Sequence, residues 1–98
     1  MILIQDKLKK YMLKKDLNII KVTIEIAKGG WCSGMPMLQV EAIKEMENEK
    51  SFTKYEVDEI DIYIYNGLEL SDEIEIKYLY SIPMLGTVLS TSGIRIKD

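Results

Sequence analysis

Among the side chains able to do chemistry one thiol stands out: Cys32, the single cysteine, set in Gly29-Gly30-Trp31-Cys32-Ser33-Gly34-Met35-Pro36. Glycines on both sides permit backbone shapes that other residues resist. They also allow backbone N–H groups to turn toward a thiolate, and Lys28 adds positive charge nearby. Both features favour the thiolate, the form that reacts and binds metal. Trp31 would shield one side of the sulfur from water. Against this stands the plainer reading of a small buried apolar residue, which is what most lone free cysteines are. On local chemistry alone the two readings are about even.

Other chemistry is scarce. The chain has no histidine, so it lacks the usual general base and the commonest metal ligand. Ser-His-Asp and Cys-His arrangements are excluded, as is a histidine-based zinc site. No glycine-rich phosphate loop of the dinucleotide or Walker type occurs. The carboxylate pairs Asp58 and Asp61, and Glu73 and Glu75, fall at strand ends or on polar strand faces. Exposed carboxylates there do not divide into acid and base without an apolar wall. Six tyrosines suggest an aromatic platform, but if both faces of their strand are covered Tyr63 and Tyr65 are a second core layer, the reading favoured here. The expectation is a protein that is not an enzyme working alone.

The elements that must position Cys32 follow from hydrophobic period. Ile4, Leu8 and Met12 recur at helical spacing and predict a short amphipathic helix, Gln5 to Lys15, packed on a strand-rich body. From Ile19 the period becomes two: Ile20, Val22, Ile24 and Ile26 oppose Lys21, Thr23 and Glu25. After the glycine-rich stretch, alternation returns at Leu38, Val40 and Ala42. Lys44 to Lys50 is charged and predicts a loop or a strand end. Phe52 to Val57 and Ile60 to Tyr65 predict two strands, and Asn66-Gly67 a turn. Leu68-Glu69-Leu70 suggests a helical turn, Ile74 to Tyr78 a strand, and Ile94-Arg95-Ile96 a last short strand in a tail broken by Pro83, Gly86 and Gly93. The expected fold class is α+β and strand-rich, a compact sandwich or partly open barrel with an N-terminal helix.

A chain of 98 residues, 47% hydrophobic and 30% charged, makes one globular domain spanning residues 1–98. No apolar run approaches the ~20 residues of a membrane span. One cysteine forbids an internal disulfide, so the expectation is a cytoplasmic protein without a membrane partner. Net charge is −3, split unevenly: residues 1–28 carry seven lysines against three acidic residues, and residues 29–98 carry six basic against thirteen acidic. The basic first quarter is read as the solvated side of a helix. No arginine or aromatic array accompanies it, so no nucleic-acid partner is expected.

Around Cys32 the sequence resembles the HesB-like family of A-type iron–sulfur carriers. The matching residues are Cys32-Ser33-Gly34-Met35, followed by the alternating stretch Leu38 to Ile43, Tyr55-Glu56-Val57-Asp58, Ile60 to Ile64, and Ile74 to Tyr78. Gly29-Gly30-Trp31-Cys32 looks still more like a small HesB-like subgroup that carries a Cys-Cys or Cys-selenocysteine pair here. The resemblance implies a HesB-like domain and iron–sulfur or metal handling with Cys32 as the metal ligand. Two departures are plain. Ser33 stands where the subgroup has its second thiol or selenol, and Thr91-Ser92-Gly93-Ile94-Arg95 lacks the carriers' C-terminal Cys-Gly-Cys. An iron–sulfur cluster takes about four thiolates, so a cluster is expected only with ligands from outside the chain, through a homodimer or a protein partner. Two alternatives stay open: a thiol redox or sulfur-transfer accessory in which Cys32 reacts once, and a noncatalytic interaction module that has lost metal binding.

Overall fold

The computed structural model describes residues 1–26, 36–82 and 86–96. The chain opens with a three-residue strand, β1 (Ile2–Ile4), and turns at once into α1 (Asp6–Lys14). β2 (Ile19–Ile26) and β3 (Pro36–Ile43) follow, then a 3-10 turn at Glu49–Ser51. β4 (Phe52–Val57), β5 (Ile60–Tyr65), β6 (Leu68–Ile82) and β7 (Gly86–Ile96) complete the described chain.

Gln5 starts the helix. Its carbonyl accepts hydrogen bonds from the Leu8 and Lys9 amides at 3.0 and 3.1 Å. Leu8 and Met12, one turn apart, are fully buried, which is the inward stripe that the spacing predicts. At the other end Asp16 takes a left-handed conformation, φ 58°. The Leu17 amide then reaches the Met12 carbonyl at 2.8 Å and the Asp16 amide the Leu13 carbonyl at 3.2 Å. This is a Schellman closure with aspartate in the position glycine usually takes.

Among the described residues seven strands form two sheets. The smaller has the order β1-β6-β7 and the larger β3-β2-β5-β4. Both are mixed: β1 runs parallel to β6, with Ile2 opposite Ile74, and β2 runs parallel to β5, with Ile20 opposite Ile62. The remaining pairs are antiparallel. β4 and β5 are joined by Asp58-Glu59, both left-handed at φ 51° and 66°. Positive φ at two central residues is the type I′ geometry that suits a tight hairpin. The sheet edges approach each other where β3 runs beside β7 and, more briefly, where β1 meets β4. Ile20, Val22, Ile62, Ile64 and Ile76 meet Leu8 and Met12 in one core.

The expected α+β fold with an N-terminal helix and a HesB-like plan is corrected here. Strand dominates, the one α-helix among the described residues has nine residues, and a strand precedes it. Ile4, expected to lead the helix, ends β1 and is bonded into the β6 ladder. Leu68-Glu69-Leu70, expected as a helical turn, opens the fifteen-residue β6. The tail, expected to hold one short strand, pairs along β6 as the eleven-residue β7. Among the described residues no helix is long and apolar enough to cross a membrane.

Candidate functional site

Cys32 itself lies outside the described residues, as do Lys28, Gly29, Gly30, Trp31 and Gly34. The strands on either side define its address. β2 and β3 form an antiparallel pair whose last register position is Ile26 opposite Pro36, so residues 27–35 join the two strands at that end of the larger sheet. Along β2 the alternation places Ile20 and Val22 in the core and leaves Lys21 and Thr23 on the outward face. Because β5 runs parallel to β2, its final residues, Ile64 and Tyr65, lie toward the same end of the sheet as Ile26.

An open groove of ≈ 930 Å³ occupies this outward face. Lys21, Thr23, Phe52 and Tyr65 form its floor, and the segment from Met46 to Ser51 makes its wall. The Phe52 and Tyr65 rings meet edge to face at 5.9 Å between centroids, and the Lys21 ammonium sits 5.8 Å from the Phe52 ring centre. That is the outer limit of a cation–π contact. Below the wall, Tyr63 is buried and donates its hydroxyl to a Glu49 carboxylate oxygen at 3.0 Å. This hydrogen bond, helped by burial, holds the Tyr63 phenol above its ordinary pKa. So Tyr63 belongs to a covered second layer, whereas Tyr65 is half-buried at the groove.

Three of the four carboxylates named from sequence, Asp58, Asp61 and Glu75, lie beside lysines. Asp58 pairs with Lys9 at 2.7 Å, and that hydrogen bond raises the Lys9 pKa. Asp61 lies 3.8 Å from Lys54, and Glu75 is 3.1 Å from Lys77. Among the described residues no three His, Cys, Asp or Glu side chains converge as a metal site. What the groove offers is Lys21 and Lys50, Glu47 and Glu49, the hydroxyls of Thr23 and Ser51, and the rings of Phe52 and Tyr65.

The model of the CC/Se motif containing family covers residues 1–83. The chain belongs to that family. No curated protein and no solved structure matches it. The matched span takes in β1 through β6 and the whole β2–β3 connection, and leaves out β7. This CC/Se motif family member has a single cysteine, and Ser33 follows it, so its sequence holds no Cys-Cys pair.

Sequence reasoning singled out Cys32 but missed the groove. Lys21 and Thr23 stand some thirty to forty positions from Phe52 and Tyr65, and it takes the parallel β2–β5 pairing together with the antiparallel β4–β5 pairing to bring them together. The available signal was the shared parity of Lys21, Thr23, Tyr63 and Tyr65 on their strands, which marks a common outward face once the pairing is known.

Proposed function

We propose that this CC/Se motif family protein takes part in iron–sulfur or metal handling through Cys32, giving one ligand to a shell that a partner or small thiols complete. Family membership carries the reading: the family is named for a Cys/Se motif, and Cys32 is the one residue of this chain able to represent it. The resemblance of Cys32-Ser33-Gly34-Met35 to the HesB-like carriers supports an iron–sulfur unit as the cargo. Ligand counting limits the role. A cluster takes about four thiolates, and the chain has one and no histidine, so its own donors do not fit a complete cluster. Carboxylates prefer harder cations than an iron–sulfur core and do not make up the difference.

Anaerobic purification with iron and labile-sulfide analysis tests this. The expected protein is colourless after aerobic purification and accepts iron and sulfide weakly when thiol is added. Cys32→Ser abolishes that acceptance with the fold unchanged by circular dichroism. Near-stoichiometric iron and sulfide without added thiol would overturn the ligand count, and a cluster surviving Cys32→Ser would overturn the site.

A thiol redox or sulfur-transfer role is the second reading, favoured by the same count, because one thiol suffices to react once and be resolved by another molecule's thiol. Its mark is rapid alkylation of the native protein near neutral pH together with no iron uptake under any condition.

A further inference from the structure

β4 is one of the two outer strands of the larger sheet, the other being β3. The hydrogen-bond parity of β4 follows from two fixed points. The Asn66 amide bonds the Ser51 carbonyl at 2.9 Å, in register with Phe52 opposite Tyr65, and the tight turn closes on Val57 opposite Ile60. In an antiparallel ladder bonded and non-bonded pairs alternate. Thr53, Tyr55 and Val57 therefore direct their backbone groups at β5, and Phe52, Lys54 and Glu56 direct theirs at the open edge. β1, the nearest strand beyond that edge, is laddered to β6 and not to β4. Lys54 and Glu56 are exposed, and the Tyr55 side chain lies on the inner face against the core.

Charges on an edge strand usually discourage pairing; here register decides their sign. A second copy pairing antiparallel across a two-fold axis must meet the same surface. Three registers near the strand centre use the available backbone groups. Centring on Lys54 sets lysine against lysine, and centring on Glu56 sets glutamate against glutamate. Centring on Tyr55 sets Lys54 of each copy opposite Glu56 of the other, twice, and the amide and carbonyl groups of both residues have no backbone partner among the described residues. Opposite charges directly across a strand pair stabilise it and like charges oppose it.

We propose that β4 is a self-association edge on which a second copy of this chain pairs antiparallel about Tyr55, in the register that sets Lys54 against Glu56. The product is one continuous eight-stranded sheet, β3-β2-β5-β4 followed by its mirror order. In each copy β2 then lies two strands from the seam strand. This inference stands independently of the role given to Cys32.

Sedimentation equilibrium of the full chain from about 10 μM to about 1 mM tests it, with circular dichroism reporting the fold of each variant. Wild type shows a reversible monomer–dimer equilibrium. Lys54→Glu and Glu56→Lys each weaken it by about tenfold or more. The double change Lys54→Glu with Glu56→Lys restores it. Mixing the two folded single variants restores opposite charges at both positions, so the mixture dimerises although neither variant does alone. A wild-type monomer throughout the range would overturn the proposal. So would a dimer indifferent to the single changes, or a mixture that stays monomeric.

Discussion

Tyr63 stands on the outward side of β5, yet only 7% of it is exposed. The 3-10 turn at Glu49–Ser51 folds over it, and the Glu49 carboxylate takes its hydroxyl proton in a hydrogen bond. That bond is the largest cause of the raised phenol pKa, ahead of burial and the nearby charges of Glu49 and Asp61. The neutral form is the one the fold favours. Its contribution to stability is therefore full below the ordinary value of 10.0 and is lost as pH rises through the higher folded value. Alkaline titration of tyrosine absorbance should show one late-ionising tyrosine. Glu49→Ala should return it toward the ordinary range, and Tyr63→Phe should remove it and flatten the fall of Tm above pH 10. A titration unchanged by either substitution would show that Glu49 does not hold this proton. At this scale sequence was informative about type and poor about surroundings. The alternation of Ile60, Ile62 and Ile64 with Tyr63 and Tyr65 is visible in the chain, but the turn that covers Tyr63 and leaves Tyr65 at a groove comes from a charged stretch with no clear period.

Among the elements, those with unbroken alternation were legible: β2, β4 and β5 lie where period two predicts them. The short and the irregular were not. β1 has three residues, and its Ile4 falls in helical step with Leu8 and Met12, so the period of the helix absorbs it. β6 and β7 were legible only in part, at Ile74 to Tyr78 and Ile94 to Ile96, because a bulge shifts their register between Leu70 and Glu75 and a second shift falls between Tyr78 and Tyr80, and an inserted run defeats a period-two reading. Gly93 makes that bulge possible. Its φ of +85° is left-handed, and a side chain there would collide with the Glu73 carbonyl oxygen and the Ser71 hydroxyl. The same hydroxyl donates to the Glu73 carbonyl at 2.8 Å and lies 3.1 Å from the Gly93 carbonyl. Gly93→Ala therefore meets both a strained backbone and a backbone clash and should cost about 2–4 kcal/mol in urea unfolding. Ser71→Ala removes one exposed hydrogen bond and should cost under about 1 kcal/mol. Equal losses at the two positions would contradict this account of the bulge.

Across the whole molecule, one apolar interior joins both sheets to the helix, and its centre is β5. Ile62 is fully buried, sits opposite Ile20 in the parallel ladder and opposite Tyr55 in the antiparallel one, and belongs to the same cluster as Leu8, Met12 and Ile76. Sequence alternation was enough to name these residues as inward-facing. It did not show that β2 and β5 pair in parallel, because strand order depends on contacts between positions some forty residues apart. Truncating Ile62 to alanine removes buried methyl groups where neighbours on two strands and the helix cannot all move inward. Such changes cost about 2–5 kcal/mol, against the roughly 5–15 kcal/mol total of a domain this size. Ile62→Ala should therefore lower the urea midpoint substantially with an unchanged slope, since a smaller side chain alters stability more than the surface exposed on unfolding. Thr53→Ala, at an exposed position two residues from Tyr55 on β4, should move it far less. A loss under about 1 kcal/mol at Ile62 would mean that the sheets do not share a continuous core through β5. A changed slope would mean that they unfold separately.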